Sequence, residues 1–277
     1  MNLNRYAPRL WIIEAVLIVL ALGFLSPFYF VLVNSFKTYG ELLLNAASLP
    51  NAIKWVNYTR AWDVLQFGLR FKNTVSIVIL ANIGLVVIAS MTAYRLIRKP
   101  SRINKLLFSM FIAAMVIPFQ AIMIPLVKVA AWTHLLNSIP GAVVCYLGLG
   151  VSLSIFLFQG YVKSVPLEIE ESATMDGCTP YGIFWRIIFP LLKPMTVTVI
   201  LLNTLWIWND FLLSLIILQK QELRTIQVAI NSLFAEYTNQ WDLALAALTM
   251  SVIPLLAFFL LLQRQIIAGI MAGSVKG

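Results

Sequence analysis

The side chains able to do chemistry are few and scattered. The chain has one histidine, His134, and two cysteines, Cys145 in an apolar run and Cys178 in a polar loop, which read as free thiols. A lone His without Cys or carboxylate neighbours at ligand spacing does not make a metal site. No cluster of titratable groups of the kind an enzyme needs occurs along the chain. No Gly-x-x-x-x-Gly-Lys-Ser/Thr occurs either, so the chain lacks a phosphate-cradling loop for ATP. One acid, Asp210, interrupts an apolar stretch beside Asn209. Exposing an acid to lipid costs roughly 3 kcal/mol or more, so such a residue faces a cavity or a partner. No second buried acid or His accompanies Asp210, which argues against a proton relay. Asp210, Asn209 and Gln120 are therefore candidates for lining a pathway, with a structural hydrogen bond as the alternative for Asp210. For Gln120, Asn82, Gln159 and Asn203, helix–helix hydrogen bonding is the default use.

The elements that must position these residues follow from composition. The chain has 277 residues, 61% apolar and 11% charged, with a formal net charge of +9. A soluble globule of this size has to cover its surface with far more charge, so a soluble domain, a disordered chain and an aqueous nucleic-acid binder are excluded. A bilayer core needs about 20 apolar helical residues. Six stretches meet that length, at approximately 12–36, 74–94, 106–126, 139–161, 195–218 and 243–263. Backbone in lipid must satisfy its own hydrogen bonds, so each is expected to be a helix, with Pro118, Pro125 and Pro254 kinking rather than ending it. The fold class is all-α, a single polytopic membrane domain over 1–277. The first stretch is basic at its start, but it is too long for a signal-peptide core and lacks a small-x-small cleavage site, so it reads as an uncleaved span.

Orientation follows from Lys and Arg. The connection from Arg95 to Lys105 carries five basic residues, and with the N-terminus, the 163–194 loop and the C-terminal 264–277 segment this side holds 12 of the 20. The denser side is cytoplasmic, which places both termini inside. On the other side, Trp55, Asn57, Tyr58 and Trp62 in the 37–72 loop suggest a short helix on the membrane surface, with interfacial anchoring an equal account.

The 163–194 loop is the most punctuated segment. Ser164 with Pro166 marks a helix start, and Glu168, Glu170 and Glu171 follow where the helix dipole favours carboxylates. Asp176-Gly177 breaks that helix, and Thr179-Pro180 caps a second one carrying Ile183, Trp185, Ile187, Ile188 and Phe189. Pro190 and Pro194 redirect the chain into the fifth span. A helix–turn–helix this well defined is a docking element.

Its residues resemble the cytoplasmic loop signature of ABC-importer permeases. Glu171-Ser172-Ala173 stands for Glu-Ala-Ala, Gly177 for the glycine, and Ile187-Ile188-Phe189-Pro190 for Ile-x-Leu-Pro, with Ser172 and Phe189 as the two departures. Ser35-Phe36-Lys37, Glu41, Asn57-Tyr58, Ile117-Pro118, Trp208-Asn209-Asp210-Phe211 and the ending Gly269 to Gly277 resemble the maltose-type, carbohydrate-importing branch across essentially the whole chain. The resemblance implies a type I importer permease in the bacterial inner (plasma) membrane, without an ATPase site, metal or cofactor of its own. Its implied partners are a second related permease, a homodimeric ATPase pair that binds ATP and magnesium, an extracytoplasmic sugar-binding protein and the lipid bilayer, with no nucleic acid. It assigns Glu171, Ser172, Ala173, Asp176, Gly177, Ile187 and Pro190 to the ATPase coupling loop. Gly269, Gly273, Val275, Lys276 and Gly277 become a docking tail. The implied cargo is an oligosaccharide, on whose ring Trp206, Trp208 or Phe211 would stack, although packing within the bundle is the commoner use of such aromatics. Alternatives are another solute such as a polyol or glycerol phosphate, or a secondary transporter. The latter lacks the matched broken or charged helices it would need.

Overall fold

Hydrocarbon gives a spanning backbone no partner but itself, and among the described residues this chain is helical with no strand. The structure, a computed structural model, describes the backbone of residues 8–236 and 240–274 and the side chains of 10–234 and 240–263. In chain order the helices are α1 (Pro8–Asn34), α2 (Tyr39–Leu44), α3 (Val56–Leu65), α4 (Phe67–Arg98), α5 (Arg102–Val116), α6 (Phe119–Trp132) and α7 (Ile139–Val162). There follow α8 (Glu168–Met175), α9 (Pro180–Ile183), a π-helical turn at Phe184–Ile188, α10 (Phe189–Leu191), α11 (Lys193–Asn209), α12 (Leu212–Ile217), α13 (Ile226–Glu236) and α14 (Trp241–Ser274). Four helices are long and apolar enough to cross a membrane singly, and counting each of two bent pairs as one span gives six.

Two of the expected continuous spans are broken. Between α5 and α6 the axis turns by 106°. Pro118 ends a helix here instead of kinking it. The residue before a proline is pushed out of the helical region, and Ile117 sits at φ −74°, ψ 118°, so α5 closes at Val116 and Pro118 caps α6. Pro27, Pro125 and Pro254 do lie inside helices. The stretch expected as one helix over 195–218 stops at Asn209, because Asp210 is extended (φ −71°, ψ 126°), and resumes as α12.

The chain divides into two compact units, residues 1–67 with 230–253 and residues 68–229 with 254–277. In the first, α1 buries none of its apolar window against the chain. The segment after it is tied down by polar contacts. Lys37 is buried, its Nζ donating to the carbonyls of Asn45 (3.0 Å) and Ala46 (3.3 Å). Asn57 Nδ2 donates to the Ser35 and Lys37 carbonyls, both at 2.8 Å. Thr38 and Glu41 form a reciprocal capping box for α2. The Thr38 backbone N–H, donating to the Glu41 carboxyl, holds that group below the usual carboxylate range. Phe36 packs ring on ring with Trp55 and Tyr58 at the start of α3, and Trp62 further along packs on Phe67.

In the second unit, Val86, Ala89 and Ala93 of α4 and Ile155, Phe158 and Val162 of α7 share one apolar core with the 165–199 segment. Asn82 donates to Thr204 Oγ1 (3.0 Å) and Asn203 to Ser154 Oγ (3.1 Å), the helix–helix use expected of these amides. Ser138 caps α7 by accepting from Gly141 N–H. A Cβ on Gly141 would lie 1.8 Å from the Leu135 carbonyl oxygen, whereas one on Gly148 would have nothing within 4 Å. Gly141→Ala is therefore expected to destabilise the purified protein by about 1–3 kcal/mol. Read as apparent Tm in detergent, this is a drop of several degrees that Gly148→Ala does not share.

Candidate functional site

The loop before the penultimate span is built from its caps. Helix α8 closes through the left-handed Gly177 (φ +80°), where Cys178 N–H donates to the Ala173 carbonyl and Gly177 N–H to that of Thr174, both at 3.0 Å. This is a Schellman stop, which glycine enters without a Cβ penalty. Thr179 then accepts from Gly182 N–H, with Pro180 in the first turn of α9. The expected Ser164 cap is not formed. Ser164 Oγ donates to the Tyr161 carbonyl in the turn that closes α7, and α8 starts later, behind Leu167, without a side-chain cap.

Of the sequence-predicted loop residues, Glu171, Ser172, Asp176, Gly177 and Pro190 are exposed, Ile187 is half-buried and Ala173 is buried. Leu167, Met175 and Tyr181 stand exposed beside them. An outward surface of carboxylates and large apolar groups thus sits on helices whose inner side, Ala173, Ile183, Phe184, Ile188 and Leu192, lies in the core of α4 and α7. The axis bends by 73° between the helix ending at Leu191 and α11.

A polar latch adds to that packing. Glu170 is buried, with Oε1 at 2.6 Å from Arg98 Nε and Oε2 accepting from the Tyr94 hydroxyl at 2.7 Å. Arg98 Nη2 also donates to the Val165 carbonyl at 2.8 Å. Reading the 95–105 basic cluster only as a topology signal missed this. Arg98 is at once a surface-side cation and the counter-ion of a loop carboxylate, and nothing in their separation along the chain announces the pair.

The second predicted constellation is brought together in part. The breaks at Ile117 and Asp210 border one cavity of about 460 Å³, also lined by Gln120, Ser152 and Trp206. Asp210 Oδ2 accepts from the Tyr146 hydroxyl at 2.8 Å and from Ser214 N–H at 3.1 Å. Tyr146 is fully buried and went unnoticed in the sequence, where one Tyr in an apolar run reads as packing. Asn209 does not line the cavity and donates back to the Leu205 carbonyl at 2.8 Å. In the predicted tail, Gly269 and Gly273 continue α14, which runs to Ser274, beyond the end at 263 expected for the sixth span. Val275, Lys276 and Gly277 lie outside the described residues.

Broken apolar helices and a loop latched into their core define the fold of an ABC-importer permease. A chain of a crystallised bacterial ABC transporter involved in import of the acidic polysaccharide alginate matches with a TM-score of 0.83 at 22% identity, over 95% of this chain and 99% of that one. The chain belongs to the family of binding-protein-dependent transport system inner membrane components, matched over residues 85–271. It is 42% identical over 94% of both chains to the probable starch degradation products transport system permease of Thermoanaerobacterium thermosulfurigenes. It is 33% identical over 96% of both chains to the melibiose/raffinose/stachyose import permease of Bacillus subtilis. It is thus a multi-pass membrane permease component, with no catalytic role of its own.

Removing one member of a buried ion pair strands the other. Glu170→Gln and Arg98→Met are each expected to cost about 3 kcal/mol, with the double variant losing clearly less than the sum. Thermal denaturation of the four purified proteins closes that cycle, and strictly additive losses would mean the pair is uncoupled.

Proposed function

We propose that this chain, with a second related permease, forms the membrane pathway of an importer for carbohydrate, in particular oligosaccharides such as those named for its relatives. Hydrolysis of ATP with magnesium belongs to a homodimeric ATPase pair, and delivery of the sugar to an extracytoplasmic binding protein. The charge bias supports placing both termini and the 163–194 loop on the cytoplasmic side. There Glu171, Ser172, Ala173, Asp176, Gly177, Ile187 and Pro190 form the element that receives the ATPase, and Gly269, Gly273, Val275, Lys276 and Gly277 dock as a tail. Gln120 and Asp210 face the solute route.

One observation carries this reading. The exposed face of α8 and α9 is continuous through Ala173, Ile183 and Ile188 with the core of α4 and α7. Cores are close-packed, so force on that face is passed on as a rigid-body shift. Fully buried Leu192 at the bend carries the shift into α11, whose far end is the break at Asp210. Access at the cavity then changes when the ATPases close.

Gly177 tests the route, since its Cβ would meet nothing within 4 Å and only the backbone conformation is at stake. A β-branched residue held at positive φ costs about 1–3 kcal/mol. Gly177→Val should leave membrane insertion unchanged, reduce co-purification of the ATPase and lower uptake by roughly tenfold. Gly177→Asn, which tolerates that conformation, should retain most of both. Full uptake in Gly177→Val would refute the turn as a coupling element. The chain purified alone in nanodiscs should hydrolyse no ATP, measured as phosphate release.

A further inference from the structure

We infer that this chain holds a binding subsite of its own for one ring of a neutral saccharide, in the cavity where its two broken helices meet. The inference rests on the reading of the chain as a carbohydrate-importer permease. The cavity, about 460 Å³, lies within the range of small-molecule sites. Its lining combines an aromatic plane, a fixed carboxylate, a free amide and a hydroxyl.

Trp206 lines the cavity with 38% of its surface exposed. Its indole is held from two sides. Tyr146 packs edge-on at 5.5 Å and 83°, and the chain passes so close at Gly150 that a Cβ there would come within 3.2 Å of Trp206 Cζ3. An indole held in this way is a rigid π surface, the kind of group that packs against the weakly positive C–H groups on one side of a pyranose. Asp210 is equally fixed. Tyr146 and Ser214 both engage Oδ2, and Tyr146 O–H and Ser214 Oγ are themselves 2.9 Å apart. Among the described residues, Asp210 Oδ1 and the Trp206 indole N–H take part in no hydrogen bond. The site therefore presents one unused acceptor and one unused donor. Gln120 adds an amide with both functions and Ser152 a hydroxyl, again with no side-chain hydrogen bond to the described residues. Sugar hydroxyls, which donate and accept, match this set.

Charge selects the class of sugar. No Lys or Arg lines the cavity, so an anionic ring would meet the Asp210 carboxylate with no cation to offset it. The subsite accordingly takes a neutral ring and rejects a uronate or a sugar phosphate.

The test uses the complete transporter, with its second permease, ATPases and binding protein, reconstituted in vesicles. The probe is whichever of radiolabelled maltotriose and raffinose the wild type takes up. Trp206→Leu and Asp210→Asn should each lower the uptake rate roughly tenfold, and Trp206→Phe should keep most of it because it keeps a π face. Unchanged uptake in Trp206→Leu overturns the subsite, as does equal loss in the Leu and Phe variants, which marks a packing role. Wild-type failure to take up any neutral oligosaccharide would instead overturn the carbohydrate reading itself. Charge selection is read on the purified complex without binding protein, where maltotriose should raise the apparent Tm and trigalacturonate should not. No shift with maltotriose, or an equal shift with trigalacturonate, overturns the assignment.

Discussion

A peptide group inside a membrane must find its hydrogen bond within the protein, and the two places where a helix is interrupted show how this chain meets that demand. At Ile117 a proline removes a donor and bends its predecessor out of the helix. At Asp210 a side chain does the work of a backbone carbonyl, its carboxylate taking the N–H of Ser214 as α12 begins. The buried Tyr146 hydroxyl then anchors that carboxylate. Both interruptions border one cavity, so the breaks in the helices and the space between them have a common origin. Discontinuous helices of this kind are tolerated where they line a cavity.

The loop before α11 solves the opposite problem. It is not one of the long apolar runs, yet it is held as firmly as they are. Each of its devices removes a degree of freedom: the left-handed Gly177, the Thr179 cap, the inward row of Ala173, Ile183, Phe184 and Ile188, and the Arg98–Glu170 pair. A carboxylate one residue before the family signature serves the inside of the protein, while Glu171 beside it faces out. Adjacent acids on a helix point about 100° apart, which is how one short helix both anchors and presents.

Much of this was legible in the residues. Long apolar runs have one stable form in lipid, so the helices could be placed, and the cap and turn residues at Asp176-Gly177 and Thr179-Pro180 act locally, so the loop could be drawn. The breaks were misjudged because a proline's effect depends on whether the next turn can find partners. Pro125 and Pro254 stay inside their helices while Pro118 does not. Ser164 has the right chemistry for a cap, but its hydroxyl is engaged by the preceding helix. What stayed hidden were pairings set by three-dimensional packing. Tyr146 with Asp210, and Tyr94 and Arg98 with Glu170, are separated by 64, 76 and 72 residues.

The π-helical turn at Phe184–Ile188 has a consequence for how this segment tolerates change. Phe189 N–H bonds to the Phe184 carbonyl one residue further back than in an α-helix, and the next residue, Pro190, has no N–H to offer. The wider turn is in effect one surplus residue wound into the helix. Removing one of its five residues would restore ordinary pitch and leave the helix beyond it in nearly the same phase, because the wide turn covers with five residues about the rotation that an α-helix covers with four. Tightening the turn to ordinary pitch with all five residues kept would instead rotate everything beyond it by about 100° about the axis, so that Leu192 would swing out of the core and the bend into α11 would aim elsewhere. The segment can therefore lose a residue more safely than it can lose its wide pitch.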